Sequence, residues 1–420
     1  MPLQATPHHT VGPAGSSLPA PVPDRVAEAA RRVRPLLAAT GVSVVGDGAF
    51  LTAAPLLAAS LTRSPIGVSA VTAAFYIPWL VVGLPAGALV DRWRRRTVMI
   101  IADVTRAVLL GALTVLVISR LVSITNLIMI VVVVGVAQTF FDAAAQAHIP
   151  VAVGRDKEVL AHVNGRFWAL DTVGRSLLGP PLGSLMFVVR HASPFALNAV
   201  SFVVSALFVR RLPTVCPPTG AHGSVGAAIR DGLRHLIRTR DLRVLVLSTG
   251  AYNFGYSAAT ATFVLYVTDV LRVGNGMYGV FIAASAVGGV CAGWQARAIM
   301  RRISYGTTMT LVMLGQALGW VAVAVSHDPW AAGITFVLIG GCNAICSVTV
   351  GSVRHALTPD GLLGRVVTAY RFFSLGAAGL GALAGGLIAD KFNATAPLVA
   401  AAAVLLGATI ATWPMRDYRG

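Results

Sequence analysis

The chain has 420 residues, of which 56% are hydrophobic and 12% charged, where a soluble chain averages about 25% charged residues. So few ionisable groups cannot cover a water-facing surface of this size, which excludes a soluble multidomain protein and makes lipid the expected solvent. The formal charge of +17 does not point to nucleic acid, because the arginines stand in short clusters between apolar stretches and no aromatic residues interleave with them as a base-stacking platform requires.

Met1 to Pro23 is rich in Pro, Ala and small polar residues and has no apolar core of a signal peptide, so residues 1–35 are expected to form a disordered cytoplasmic tail. A spanning helix needs about 20 apolar residues. Twelve such stretches follow, near 36–60, 66–89, 97–119, 123–145, 163–187, 194–212, 244–268, 276–299, 305–326, 329–351, 364–388 and 395–414. The fold expected is an all-α integral membrane protein with twelve transmembrane helices in two six-helix pseudo-repeats around a central cavity. Its parts are an N-terminal half over 36–212, a linker over 213–243 and a C-terminal half over 244–420.

Positive loops stay in the cytoplasm. Arg31, Arg32 and Arg34, then Arg92, Arg94, Arg95 and Arg96, then Arg155 and Lys157, fall on one side of the spans, followed by Arg210, Arg211, Arg301, Arg302, Arg354 and Arg365. The other side holds Arg63, Arg120, Arg190, Arg272 and Lys391. This alternation predicts a multi-pass protein of the inner (cytoplasmic) membrane with both termini in the cytoplasm. Between the halves, Ser224 caps a predicted helix reaching about Thr239 in which Val225, Ala228, Ile229, Leu233, Leu236 and Ile237 form an apolar stripe beside Arg230, Arg234 and Arg238. Such a helix is expected to lie on the inner leaflet.

The two halves repeat a signal. Arg166-Phe167-x-x-Leu170-x-x-x-Gly174 in the fifth span recurs as Arg371-Phe372-x-x-Leu375-x-x-x-Gly379 in the eleventh, six spans later, and parallel repeats of this kind build one large class of secondary transporter.

Gly87-x-Leu89-x-Asp91-Arg92-x-Arg94-Arg95-Arg96 resembles the signature loop of the major facilitator superfamily. That resemblance implies a cytoplasmic latch formed by Gly87, Asp91, Arg92 and Arg95, in which the carboxylate meets a helix N-terminus of the other half. The family's second glycine is replaced here by Arg94. Gly165, Gly174, Gly179-Pro180 and Gly183 in the fifth span are similar to the glycine and proline motif of proton-driven exporters of that superfamily, which implies close packing and a break for gating at Gly179 and Pro180. Gly46-Asp47-Gly48, Pro78-Trp79, Pro85-Ala86-Gly87, Asp103 to Arg106 and Thr358 to Val366 look like the branch of macrolide efflux proteins and siderophore exporters. The arginine that many proton-coupled exporters carry in the fourth span is absent, and Gln138 is the only strongly polar residue there before Asp142.

Ionisable groups inside a bilayer are costly and are functional candidates by default. Asp47 sits about 16 Å into the first span at 1.5 Å per residue. Asp171 and Arg175 stand four apart in the fifth span, and Asp103 and Arg106 form a comparable pair in the third; mutual neutralisation and a part in transport are both open for these pairs. Asp47, Asp171 and Arg175 are the expected proton-coupling residues. By resemblance, a cavity lined by spans 1, 4, 7 and 10 offers Asp47, Asn253, Tyr256 and Asn343 to substrate.

Cys342 and Cys346 share a helix face without a nearby His or carboxylate, so they read as packing residues rather than metal ligands. Gly274-x-Gly276-x-x-Gly279 lacks the strand that a dinucleotide site needs, and neither a phosphate-binding loop nor a hydrolase motif occurs. The sequence therefore predicts no enzyme, cofactor or metal. It predicts a monomeric exporter of small amphipathic molecules, drugs or secondary metabolites, working as a proton antiporter by alternating access, with membrane lipid, substrate and protons as partners and no nucleic acid. A nutrient importer or facilitator of the same fold, or a membrane scaffold or sensor without transport, is the alternative.

Overall fold

The computed structural model describes residues 22–90, 92–153, 156–212, 225–358 and 363–412. The described residues are helical almost throughout. The N-terminal half comprises α1 (Val22–Leu61), α2 (Pro65–Val81), α3 (Gly83–Val90), α4 (Arg95–Ile118), α5 (Ile124–Val153), α6 (Lys157–Asp171), a π-helical stretch (Thr172–Leu178), α7 (Gly179–Val189) and α8 (Ser193–Val209). After α9 (Val225–Arg238), the C-terminal half comprises α10 (Arg240–Ala261), α11 (Phe263–Leu265), a second π-helical stretch (Tyr266–Val270), α12 (Asn275–Arg302), α13 (Tyr305–Val325), α14 (Pro329–Leu357), α15 (Leu363–Lys391) and α16 (Ala396–Thr412).

These elements make twelve crossings. Seven helices are individually long and apolar enough to span a bilayer among the described residues. Three more arise by joining: α2 with α3 form the second crossing, α6 with α7 the fifth, and α10 with α11 the seventh; the shorter apolar helices α8 and α16, of 17 residues each, make the sixth and the twelfth. The join in the fifth crossing has a local cause. Pro180 and Pro181 bring no N–H to the ladder, and the wide turn before them closes instead through the Gly179 N–H bonding to the Gly174 carbonyl. Large apolar side chains such as Val115, Val189, Trp294, Ile334 and Ile410 stay uncovered around the bundle, as lipid-facing positions require.

Helix α1 begins at Val22, so it takes in residues 22–35, which the sequence assigns to the tail. Pro23 is tolerated in a first turn, and Glu28 accepts from Arg32 one turn later at 2.7 Å. Helix α9 packs on α15, α10 and α3. Leu236 of its apolar stripe is buried in that contact, while Ile237 and the row Arg230, Arg234 and Arg238 remain exposed. The stripe thus serves the bundle as well as any leaflet.

The halves meet at the end away from the termini. There the Ser184 hydroxyl of α7 donates to the Gly276 carbonyl of α12 at 3.0 Å and accepts from the Gly279 N–H at 3.3 Å. A Cβ on Gly279 would strike Ser184 and the Pro180 carbonyl, and one on Gly386 of α15 would strike Ser69 of α2. Glycine at these positions is what lets the halves close. Toward the other end, Leu170, Val173 and Asn343 are exposed.

Candidate functional site

Helices α1 and α7 touch backbone to backbone. A Cβ on Gly48 would collide with the Arg175 carbonyl, and one on Gly179 would collide with Gly48 itself, so only glycine permits the approach. That approach brings Asp47 to Arg175: a guanidinium nitrogen lies 3.2 Å from Asp47 Oδ2. The same side chain donates through Nε to Asp171 Oδ1 at 3.0 Å. One guanidinium therefore serves two carboxylates. Asp47 is 8% exposed at its side chain, whereas Arg175 and Asp171 keep 26% and 22%, so the triad is partly open rather than sealed.

A second polar network lies deeper in the N-terminal half. Arg106 is wholly buried, paired with Asp103, and donates to the Gln138 side-chain oxygen. Its guanidinium lies 4.0 Å from the centre of the Phe202 ring and 4.6 Å from that of Phe141, a geometry in which aromatic faces stabilise a desolvated cation. Asp103 also accepts from the Ser205 hydroxyl at 2.8 Å. The Gln138 amide nitrogen donates to Asp142 Oδ1 at 2.9 Å. Asp142 in turn lies within electrostatic reach of Arg175, Arg371, Asp171 and Arg106, and Asp103 of Asp47. Gln138 and Asp142 stand four apart on one helix, a spacing that carries the signal of this link in the sequence itself.

Among the predicted cavity residues, Asn253 donates to the Ser374 hydroxyl at 2.6 Å and so ties α10 to α15. Tyr256 lies 6.0 Å, ring centre to ring centre, from Trp320. Asn343 is exposed. The structure brings Asp47, Asp171 and Arg175 together, while Asn253, Tyr256 and Asn343 belong to the opposite half.

At the predicted latch, Asp91 lies outside the described residues, as does Arg155. Gly87 is half-buried, and a Cβ added there would meet nothing within 4 Å. Arg94, standing where the family has glycine, adopts φ −68° and ψ 104° as the cap of α4, a conformation open to any residue. Trp93 stacks on Phe140 with ring centres 6.1 Å apart, which holds the loop against α5. Arg371 reaches from α15 to the other half, with its guanidinium 5.4 Å from the centre of the Trp79 ring.

Comparison with known proteins extends the resemblance over nearly the whole chain. A major facilitator family described as a transmembrane secretion effector matches residues 29–417. The multidrug efflux pump Tap of Mycolicibacterium fortuitum is 27% identical over 368 residues, covering 84% of this chain and 88% of that protein. The MFS-type transporter YfiS of Bacillus subtilis is 26% identical, covering 84% and 86%. Among solved structures, a bacterial homologue of the iron transporter ferroportin, in an inward-facing state, superposes with a TM-score of 0.70 at 16% identity, covering 92% of this chain and 99% of the other. The nucleoside transporter NupG gives 0.69 at 13%, again covering 92% and 99%; at such identities these two likenesses speak for the fold. The chain is a multi-pass membrane transporter and belongs to the transmembrane secretion effector family of the major facilitator superfamily.

Proposed function

We propose that the protein exports small amphipathic molecules from the cytoplasm by alternating access, in exchange for protons. The observation that carries this reading is the sharing of Arg175 by Asp47 and Asp171 in a partly open triad. Two carboxylates on one guanidinium leave a negative charge that either a proton or a cationic or polar substrate can neutralise, and competition between the two is what antiport requires. Asn253, Tyr256 and Asn343 face the same transport path from the other half and supply polar and aromatic contacts amid apolar walls. Gly179 and Pro180 act as the pivot of the fifth crossing, with Gly87, Asp91, Arg92 and Arg95 as the latch.

The efflux activity named for the relative Tap supports export, and the arginine distribution supports a place in the cytoplasmic membrane with both termini inside; the protein works as a monomer in this reading. In this reading residues 36–212 and 244–420 are the two moving halves and residues 213–243 the linker between them. The test is flux in proteoliposomes with an imposed pH gradient, against macrolides, siderophores and lipophilic cations. Export reading predicts movement of at least one class against its gradient, toward the acidic side. Uphill movement away from the acidic side would make the protein an importer, and gradient-independent equilibration would make it a facilitator.

A further inference from the structure

The buried charges of the N-terminal half do not balance. Asp103 is matched by Arg106, and Asp47 and Asp171 share Arg175. Asp142 is left with no guanidinium within ion-pair distance among the described residues, and its one hydrogen bond comes from a neutral amide. Four carboxylates thus face two guanidiniums in this half, and the third positive charge near Asp142 belongs to Arg371 of the other half. An uncompensated carboxylate within a bilayer is costly and marks a functional group by default.

We propose that Asp142 is a second proton-binding site, so that the transporter returns two protons per cycle, one at the Asp47–Arg175–Asp171 triad and one at Asp142. The inference rests on the proton-antiport reading. Three features beyond the charge count support it. Arg106 holds the Gln138 side-chain oxygen, which turns the amide nitrogen toward Asp142; Gln138 can then only donate, and orients the carboxylate without neutralising it. Asp142 is half-buried rather than sealed as Asp103 is, so water can deliver a proton. Arg371 moves with the C-terminal half, so the positive charge facing Asp142 changes as the halves rock.

The charged groups acting on Asp142 are Arg175 and Asp171 of the fifth crossing, Arg371 of α15 and Arg106 of α4; Asp47 and Asp103 are held by these same arginines. On its own helix, His148 is the next titratable residue; α2 and α3 contribute no Asp, Glu, His, Lys or Arg. In chemical terms, a proton from water on the acidic side bonds to a carboxylate oxygen of Asp142, and in the other access state that O–H bond breaks and the proton passes to cytoplasmic water.

Ethidium, a permanent monovalent cation, separates the possibilities in proteoliposomes whose membrane potential is clamped by potassium and valinomycin. Two protons in for one ethidium out moves net positive charge, so the wild type should respond to potential. At zero potential it should sustain about a hundredfold ethidium gradient per unit of pH difference, against about tenfold for one proton. Asp142→Asn should keep pH-driven transport, lose its response to potential and fall to the tenfold slope. If the wild type follows the pH gradient with the tenfold slope and ignores potential, the second site is wrong and antiport stands. If neither gradient drives the wild type, the antiport reading falls and the second site with it. A variant as sensitive to potential as the wild type would also overturn the proposal, and for a variant that does not fold the wild-type slope alone decides.

Discussion

At the scale of single residues, the consequences concentrate on who shares Arg175. Asp47→Asn keeps the shape of the side chain and removes the charge, leaving Asp171 as sole partner of the guanidinium. Gradient-driven export should be abolished while substrate binding survives with weaker dependence on pH; full pH-driven export by this variant would remove Asp47 from coupling. Ser205→Ala probes the sealed network instead. It strips a hydrogen bond from a fully buried carboxylate oxygen, a loss of about 1–3 kcal/mol, so the detergent-solubilised variant should melt several degrees lower. An unchanged melting curve would mean that Asp103 finds another donor. Depth in a span singled out Asp47, Asp171 and Arg175 from the sequence, because charge in lipid is rare enough to be informative. That Asp47 meets Arg175 was not legible, since the two stand in different helices and their contact depends on how closely Gly48 and Gly179 approach.

At the scale of elements, the glycine pair of α1 and α7 and the latch make opposite predictions about stability. Gly48→Ala places a methyl against the Arg175 carbonyl and should separate the helices, lowering both melting temperature and transport; a variant with wild-type melting would show that the contact can yield. Gly87→Ala meets no obstacle in this conformation. It should leave the melting temperature near wild type and slow transport only if the loop tightens in another state, so wild-type rates would reduce Gly87 to a bystander. Asp91→Asn should likewise lower transport without loss of membrane insertion, by removing the attraction to a helix N-terminus. The glycine and proline motif of the fifth crossing was readable as a break, yet its form, a π-helical turn ahead of two prolines, was not, because the register of a widened turn depends on what packs beside it. The breaks at Val82 and Thr262 left no comparable mark.

For the whole molecule, the arginine asymmetry predicts which end faces the cytoplasm. In a background with the exposed Cys291 replaced by serine, Trp93→Cys should resist an impermeant thiol reagent in intact cells and Arg63→Cys should react; the reverse pattern would invert the orientation. Twelve crossings in two halves were legible from hydropathy and from the Arg-Phe repeat of the fifth and eleventh spans, because both depend on composition and period alone. The state in which the halves are caught was not, because nothing local in Ser184, Gly276 or Gly279 says that they meet across the molecule.

That meeting point has a mechanical consequence. Gly276 and Gly279 stand at the very start of α12, a helix of 28 residues and so about 42 Å long at 1.5 Å per residue. A contact at one tip of such a rod is a fulcrum with nearly the whole length as lever arm. A tilt of about 10° around it carries the far tip by roughly 7 Å over that length, comparable to the width of an aromatic ring system. At that tip the contact is made by small residues and the two hydrogen bonds of Ser184, while the packing of α2 along α15, with Leu80 against Gly376, joins the halves beside it. The close approach at the tip and the long lever arm beyond it then both begin at the glycines that open α12.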